Sequence, residues 1–163
     1  MGCATESGPD PGDADPPLGE PLGLQLPRVG ITASELGVIV NTDDPLSAQI
    51  ADRYMMERDI PDSNRLEVAL GTEANLPRTE FVAIQDAIAA AFDDEVQAIA
   101  LTSMLPQTVD CMGVSAAVAV GFDERWCQPG PPCNQTARAD TYDSPSTTPF
   151  TEHGIRPTMI LAA

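Results

Sequence analysis

The stretch that decides the fold is Leu36-Gly37-Val38-Ile39-Val40, a short apolar run without a charged residue. Such a run is typical of a strand that is buried on both faces of a parallel sheet. A turn cluster follows it, and Pro45 fits the first turn of a helix, with Asp43 or Asp44 as the N-cap. The sequence therefore predicts that the domain starts as a strand followed by a helix.

The first predicted helix carries apolar residues at helical spacing. Leu46, Ile50 and Tyr54, with Met55 beside them, are expected to face inward because they recur at i, i+4 and i+8. The helix is expected to end at Ile60, since a residue that precedes proline is disfavoured in the α conformation.

Two further strands and a second helix continue the alternation. Residues 65–70 predict the second strand and residues 96–102 the third, with a loop at 71–77. A helix from about Thr79 places four apolar residues on one face: Phe81, Ile84, Ile88 and Phe92. The order βαβαβ predicts a three-layer α/β fold with a mainly parallel sheet and right-handed crossovers.

The pattern after the third strand is less regular. Residues 113–120 fit either a small-residue helix or a buried strand, of which the helix is favoured, and residues 121–154 are loop-like. Residues 158–163 form an apolar run. A domain rarely finishes on such a segment, so residues 27–163 are expected to be the N-terminal part of an incomplete α/β domain.

The charge of the chain excludes several classes of partner. Its 163 residues carry a net charge of −17, and the only basic residues are eight arginines. Nucleic-acid binding requires Lys or Arg to replace the counterions of phosphates, so no nucleic-acid partner is expected. Adsorption to an anionic membrane surface is disfavoured for the same reason. No apolar run approaches the length that crosses a bilayer.

The N-terminal residues point to export. Residues 1–26 are rich in Pro, Gly and acidic side chains and predict a disordered tether. Cys3 follows Gly2, as the lipidated cysteine of a bacterial lipoprotein follows a small residue, and a lost signal peptide is expected before it. Membrane attachment is then expected only through lipid on Cys3, at the cell envelope. If Met1 is the true start, Cys3 lies in a cytoplasmic tail instead.

Three cysteines remain in the ordered part. Cys127 and Cys133 enclose a Pro/Gly-rich loop and are expected to form a disulfide in an oxidising compartment. The alternative, half of a metal site, is disfavoured because this spacing is unusual for zinc and no second pair exists, so no metal is expected. Cys111 is left unpaired and is expected to be a buried structural thiol.

Two groups of polar residues follow predicted strands at the carboxyl edge of the sheet, where open α/β sheets bind ligands. Asn41, Asp43 and Asp44 follow the first strand, and Thr102 and Asp110 follow the third. They are the candidate ligand-binding residues, although helix capping explains the first aspartates without a ligand. No Gly-rich phosphate cradle is present, so no nucleotide or other cofactor is expected.

A nucleophilic site is the weaker alternative. Cys111 and the only histidine, His153, are candidate catalytic residues. No local motif supports this dyad, and the adjacent carboxylate of Asp110 would disfavour the thiolate.

Four stretches occur together in a specific order and spacing: residues 36–47, residues 54–64, residues 100–112 and residues 121–159. With these motifs, which include Asp44-Pro45, Arg58-Asp59-Ile60-Pro61 and Gly154-Ile155-Arg156-Pro157, the chain resembles a family of uncharacterised bacterial proteins over Leu26 to Ala163. The resemblance implies an exported protein that is longer than this chain. It implies no activity.

The expected function is that of a cell-envelope binding or structural module with an unknown ligand or partner. The alternative is the N-terminal half of a hydrolase with caspase- or gingipain-like architecture, whose catalytic residues would lie mostly beyond Ala163. That alternative rests on fold analogy, because the third strand leads into Thr102-Ser103-Met104-Leu105-Pro106 without the histidine of that class.

Overall fold

The computed structural model describes residues 30–127 and 149–161. The predicted tether at 1–26 therefore lies outside the described residues, as do Cys3 and Cys133. The elements in chain order are β1 (Leu36–Asn41), α1 (Pro45–Arg58), β2 (Arg65–Val68), β3 (Asn75–Leu76), α2 (Arg78–Ala91), β4 (Ala98–Leu101), β5 (Thr108–Val109), β6 (Met112–Gly113), α3 (Val114–Val120) and β7 (Thr158–Ile160).

Four parallel strands form the main sheet, in the order β2-β1-β4-β7. Leu36 pairs with Ala98 and Val38 with Arg65, which fixes the register of the central strands. The predicted α/β fold with a mainly parallel sheet is confirmed. A second, smaller sheet joins β3, β5 and β6. Strand β3 lies in the predicted loop at 71–77, and no strand was predicted at β5 or β6.

The sheet is buried on both faces because apolar residues fill both sides of β1 and β4. Val38, Val40 and Ala100 contribute to the core beneath α1. Ile39 and Ile99 contribute to the other core, with residues of α2, α3 and the small sheet. The continuous apolar run of β1 thus reflects a strand covered by layers on two sides, as expected for a parallel sheet.

Helix α1 begins where the sequence places it. Pro45 is its first residue, and the carboxylate of Asp44 accepts a hydrogen bond of 3.0 Å from the Leu46 backbone amide, which confirms the N-cap. The helix ends at Arg58, because Asp59 adopts a left-handed conformation with φ 54°, two residues before the predicted end at Ile60.

The predicted inward face of α1 is confirmed at Met55, but its other buried positions are displaced by one residue from those predicted. The buried positions are Ser47, Ala51 and Met55, whereas the side chain of Leu46 is 57% exposed. Ile50 and Tyr54 are half-buried at the margin. Ser47 turns inward because its hydroxyl bonds to the end of the sheet, and this contact sets the rotation of the helix.

Helix α2 has the predicted core face, with Phe81, Ile84 and Ile88 buried and Phe92 buried just past its end. The ring of Phe92 packs against the backbone of Gly37 in β1. A Cβ atom on Gly37 would lie 2.9 Å from that ring, so a glycine is required where helix and strand approach this closely.

The C-terminal part of the described chain returns to the sheet. Helix α3 confirms the favoured reading of residues 113–120, and 3-10 helices cover Glu124–Cys127 and Phe150–His153 within the predicted loop. Strand β7 lies at one edge, with Met159 45% exposed. Among the described helices, none is long and apolar enough to cross a membrane.

Candidate functional site

Asn41 lies at the carboxyl end of β1 and is 1% exposed. Its Nδ2 donates to the carbonyls of Gly71 (2.7 Å) and Leu105 (3.3 Å), and its Oδ1 accepts from the amides of Asp43 (3.1 Å) and Leu70 (3.0 Å). Both donors and both lone-pair positions of the amide are therefore used within the protein. Asn41 fastens together the loops that follow β1, β2 and β4.

A second buried polar group lies beside it. Ser47 and Thr102 are both fully buried, and their hydroxyl oxygens are 2.8 Å apart. Thr102 Oγ1 donates to the Ile39 carbonyl, so Ser47 is the donor to Thr102. The Ser47 hydroxyl also accepts from the Asn41 amide at 2.8 Å. Ser47 lies four residues before Ala51 and eight before Met55, so it belongs to the buried face of α1.

The two aspartates of the first turn also bond to backbone amides. Asp43 Oδ2 accepts from the Gly71 amide at 2.8 Å, and Asp44 caps α1. The structure thus brings together Asn41, Asp43, Asp44 and Thr102, as the strand order predicts, and hydrogen bonds within the protein engage all four side chains. At the carboxyl edge of the main sheet, these side chains therefore hold neighbouring loops together through hydrogen bonds.

Asp110 belongs to a different group of residues. It lies in the turn between β5 and β6 with φ 47°, and its carboxylate accepts a hydrogen bond of 3.3 Å from the Arg78 amide at the start of α2. A carboxylate is favourable at a helix N-terminus, which gives Asp110 a local capping role.

Cys111 and Cys127 form a disulfide, with their Cα atoms 5.3 Å apart. The expected Cys127–Cys133 pairing and the expected free thiol of Cys111 are therefore both wrong. Cys111 lies in the turn between β5 and β6, next to the 3-10 helix that contains Cys127. Residue spacing along the chain does not reveal that these two segments are close in space. A sulfur atom in a disulfide is not a thiolate, so Cys111 cannot act as a nucleophile while the disulfide is intact.

The segment that carries Cys127 is held against α2 by further contacts. Arg78 forms an ion pair with Glu124, and its guanidinium lies 5.1 Å from the ring centroid of Phe122. Phe122 in turn packs against the core. The disulfide therefore closes a loop that is already docked on the domain.

His153, the other catalytic candidate, lies in the 3-10 helix that precedes β7. Its Nε2 atom is buried and has no hydrogen-bond partner among the described residues. Among residues 30–127 and 149–161, no hydrogen bond joins it to Cys111, and no group of three His, Cys, Asp or Glu side chains could hold a metal ion.

A cavity of about 300 Å³ lies between α2, α3 and the segment before β7. Its charged lining residues are Asp94 and Arg156, and Gln85 of α2 adds an amide. Arg156 Nε donates to the Val96 carbonyl (3.0 Å), and Nη2 donates to those of Phe92 (3.0 Å) and Asp93 (2.9 Å). This cavity was not predicted, since no sequence motif links Arg156 to α2.

An apolar groove on the outer flank of α1 is another concave surface. It has a volume of about 480 Å³ and is lined in part by Leu46, Ile50, Tyr54 and Leu161. These include the residues that the helical pattern assigned to the core. The apolar stripe of α1 lines this groove and not the core, which is why it predicted the wrong orientation of the helix.

No protein-family model, curated protein sequence or solved structure matches this chain.

Proposed function

We propose that the protein is an exported, lipid-anchored module that binds a ligand or partner at the bacterial cell envelope. The Cys111–Cys127 disulfide is the observation that carries this proposal. Disulfides persist in oxidising compartments and are rare in the cytosol, where thiols are kept reduced. The Gly2-Cys3 pair and the acidic Pro/Gly-rich residues behind it supply the anchor and the spacer.

Binding is favoured over catalysis by the state of the polar groups. Asn41 and Thr102 are buried and bonded to their neighbours, which leaves no activated acid or base among them. The candidate dyad of Cys111 and His153 loses its nucleophile, because the sulfur of Cys111 is bonded to that of Cys127. The cavity beside Arg156, in contrast, is lined by polar and apolar residues, with Asp94 and Arg156 as its charged residues.

The proposal is tested in cells of the organism that encodes the protein. We expect the protein in the membrane fraction, with the N-terminal peptide carrying the mass of acyl chains on Cys3. The Cys3→Ser variant should lose that mass and leave the membrane, whereas Cys133→Ser, the matched control, should stay. A cytosolic protein with free thiols at Cys111 and Cys127 would contradict the proposal.

A further inference from the structure

We infer that the segment Leu22-Gly23-Leu24-Gln25-Leu26 of this same chain docks as an additional edge strand of the main sheet, antiparallel to β7, and fills the apolar groove beside α1. Three observations carry the inference: the open edge of β7, the groove next to it, and a run of alternating leucines within reach of both. The inference goes beyond the proposed function, because it makes residues 21–26 part of the domain and ends the expected tether at Glu20.

Strand β7 has one edge without a neighbour among the described strands, since it pairs there only with β4. On the β4 side, the Pro157 carbonyl accepts from Ile99 and the Leu161 amide donates to Leu101. The alternation of a parallel ladder therefore directs the backbone groups of Thr158 and Ile160 away from β4. An edge of this kind is a template on which a further strand can pair.

The groove continues this edge on the α1 side of the sheet. Leu161 lines the groove, and the hydroxyl of Tyr54 lies 4.0 Å from the sulfur of Met159, which places both β7-side residues next to α1. On the helix side, the groove is lined by Ile50 and by Leu46, whose side chain is 57% exposed. A strand added beside β7 would place alternate side chains against this apolar flank of α1.

The charges of the groove favour an uncharged occupant. Its two charged lining residues, Arg53 and Glu57, form an ion pair with each other at 2.6 Å. A charged side chain entering the groove would therefore lose water without gaining an opposite charge.

One stretch outside the described residues has this chemistry. The leucines of Leu22-Gly23-Leu24-Gln25-Leu26 alternate with small or polar residues, which is the pattern of a strand with one apolar face, and residues 21–27 carry no charge. Pro21 and Pro27 bound the stretch, as is usual at the ends of an edge strand. Residues 128–148, in contrast, contain no Leu, Ile, Val, Met or Phe.

The apolar face of the segment matches that of the helix in length. Leu46 and Tyr54 are eight residues apart on α1, a rise of about 12 Å. Leu22 and Leu26 are about 13 Å apart in an extended strand. Three leucines can thus lie along the groove from one end to the other.

The chain is long enough to reach this position. Ala33, which starts the 3-10 helix before β1, packs against the same cluster as Tyr54 and Leu161. Leu26 precedes Ala33 by seven residues, which span up to about 23 Å when extended. The position beyond β7 is three strand spacings from β1, about 14 Å. Because the segment must end near the start of β1, it runs antiparallel to β7, as an edge strand of a mainly parallel sheet often does.

A second copy of the chain is the competing occupant of the edge. Two copies would each bring a net charge of −17, and this repulsion disfavours self-association. The segment of the same chain carries no charge and is already tethered beside the groove.

Hydrogen–deuterium exchange of the whole chain, resolved by residue, tests the docking. We expect alternate amides of residues 22–26 to exchange at least about tenfold more slowly than those of residues 6–20, because hydrogen bonds to β7 protect them. Residues 6–20 serve as the internal control, after correction for intrinsic exchange rates. Equal protection of the two stretches would overturn the inference.

A matched pair of helix variants tests the groove. Leu46→Asp and Val82→Asp each place a carboxylate at an exposed position, 57% and 50% exposed, but only Leu46 lines the groove. Leu46→Asp should bring residues 22–26 to the exchange rates of residues 6–20, and Val82→Asp should leave the parent's rates unchanged. The inference fails if Leu46→Asp has no effect or if both variants act alike.

A second pair tests the segment and the edge together. Leu24→Asp should speed the exchange of the Thr158 and Ile160 amides at least about tenfold, since it removes the strand that covers them. Leu18→Asp, the same substitution before the segment, should leave these amides as they are in the parent. If the Thr158 and Ile160 amides are instead protected only at high protein concentration, and Leu24→Asp does not change them, a second copy covers β7 and the inference is wrong.

Discussion

Ser47 on α1 and Thr102 behind β4 join their hydroxyl oxygens at 2.8 Å, in a region that solvent does not reach. The bond connects a helix to the end of a strand that lies 55 residues away in the chain. It accounts for the rotation of α1, because a buried hydroxyl must find a partner.

The Thr102→Val variant removes this acceptor with little change in shape. The Ser47 hydroxyl is then buried without its acceptor, and the free energy of unfolding should fall by about 1–3 kcal/mol. Urea denaturation measures the loss. In a double-mutant cycle with Ser47→Ala, the two losses should not add, with a coupling of about 0.5 kcal/mol or more. Strict additivity would show that the two hydroxyls act independently.

The Asn41→Leu variant should be among the most destabilising changes in the domain. It leaves two carbonyls and two amides of three loops without their partner, and a cost of about 3 kcal/mol or more is expected. The exposed Asn75→Ala change is the control and should cost under about 1 kcal/mol. Equal losses of unfolding free energy in the two variants would show that Asn41 does not hold the three loops together.

Gly37→Ala should destabilise the domain although alanine suits a strand no worse than glycine does. The new Cβ would lie 2.9 Å from the Phe92 ring, and overpacking of this kind costs about 1–3 kcal/mol. Phe92→Leu in the same chain should recover part of the loss. Gly30→Ala, which has open space around its Cβ, should leave the thermal midpoint unchanged.

The disulfide assignment predicts a specific pattern of cysteine variants. Cys111→Ser and Cys127→Ser should each lower the free energy of unfolding by about 3 kcal/mol, the value expected for a loop with a sequence separation of 16. Cys133→Ser should have no such effect. Peptide mapping of the non-reduced protein should recover Cys111 linked to Cys127; recovery of a Cys127–Cys133 peptide would reverse the assignment.

Local sequence was sufficient for elements whose signal is contained in a few consecutive residues. The apolar run of β1, the Asp44-Pro45 start of α1 and the four-residue apolar face of α2 each follow from backbone sterics or from burial of one continuous stripe. The α/β fold then follows from their order along the chain.

The sequence by itself determined the βαβαβ framework, its parallel sheet and the acidic character that disfavours a nucleic-acid partner, because these depend on neighbouring residues or on composition. Only the tertiary structure decided the inner face of α1, the partner of Cys111 and the cavity beside Arg156. Each of these depends on groups that are distant in the chain and meet only when the sheet and its loops are assembled. Hydrogen bonds and disulfides form between residues that are close in space, and the periodicity of apolar residues along the chain does not show which residues those are.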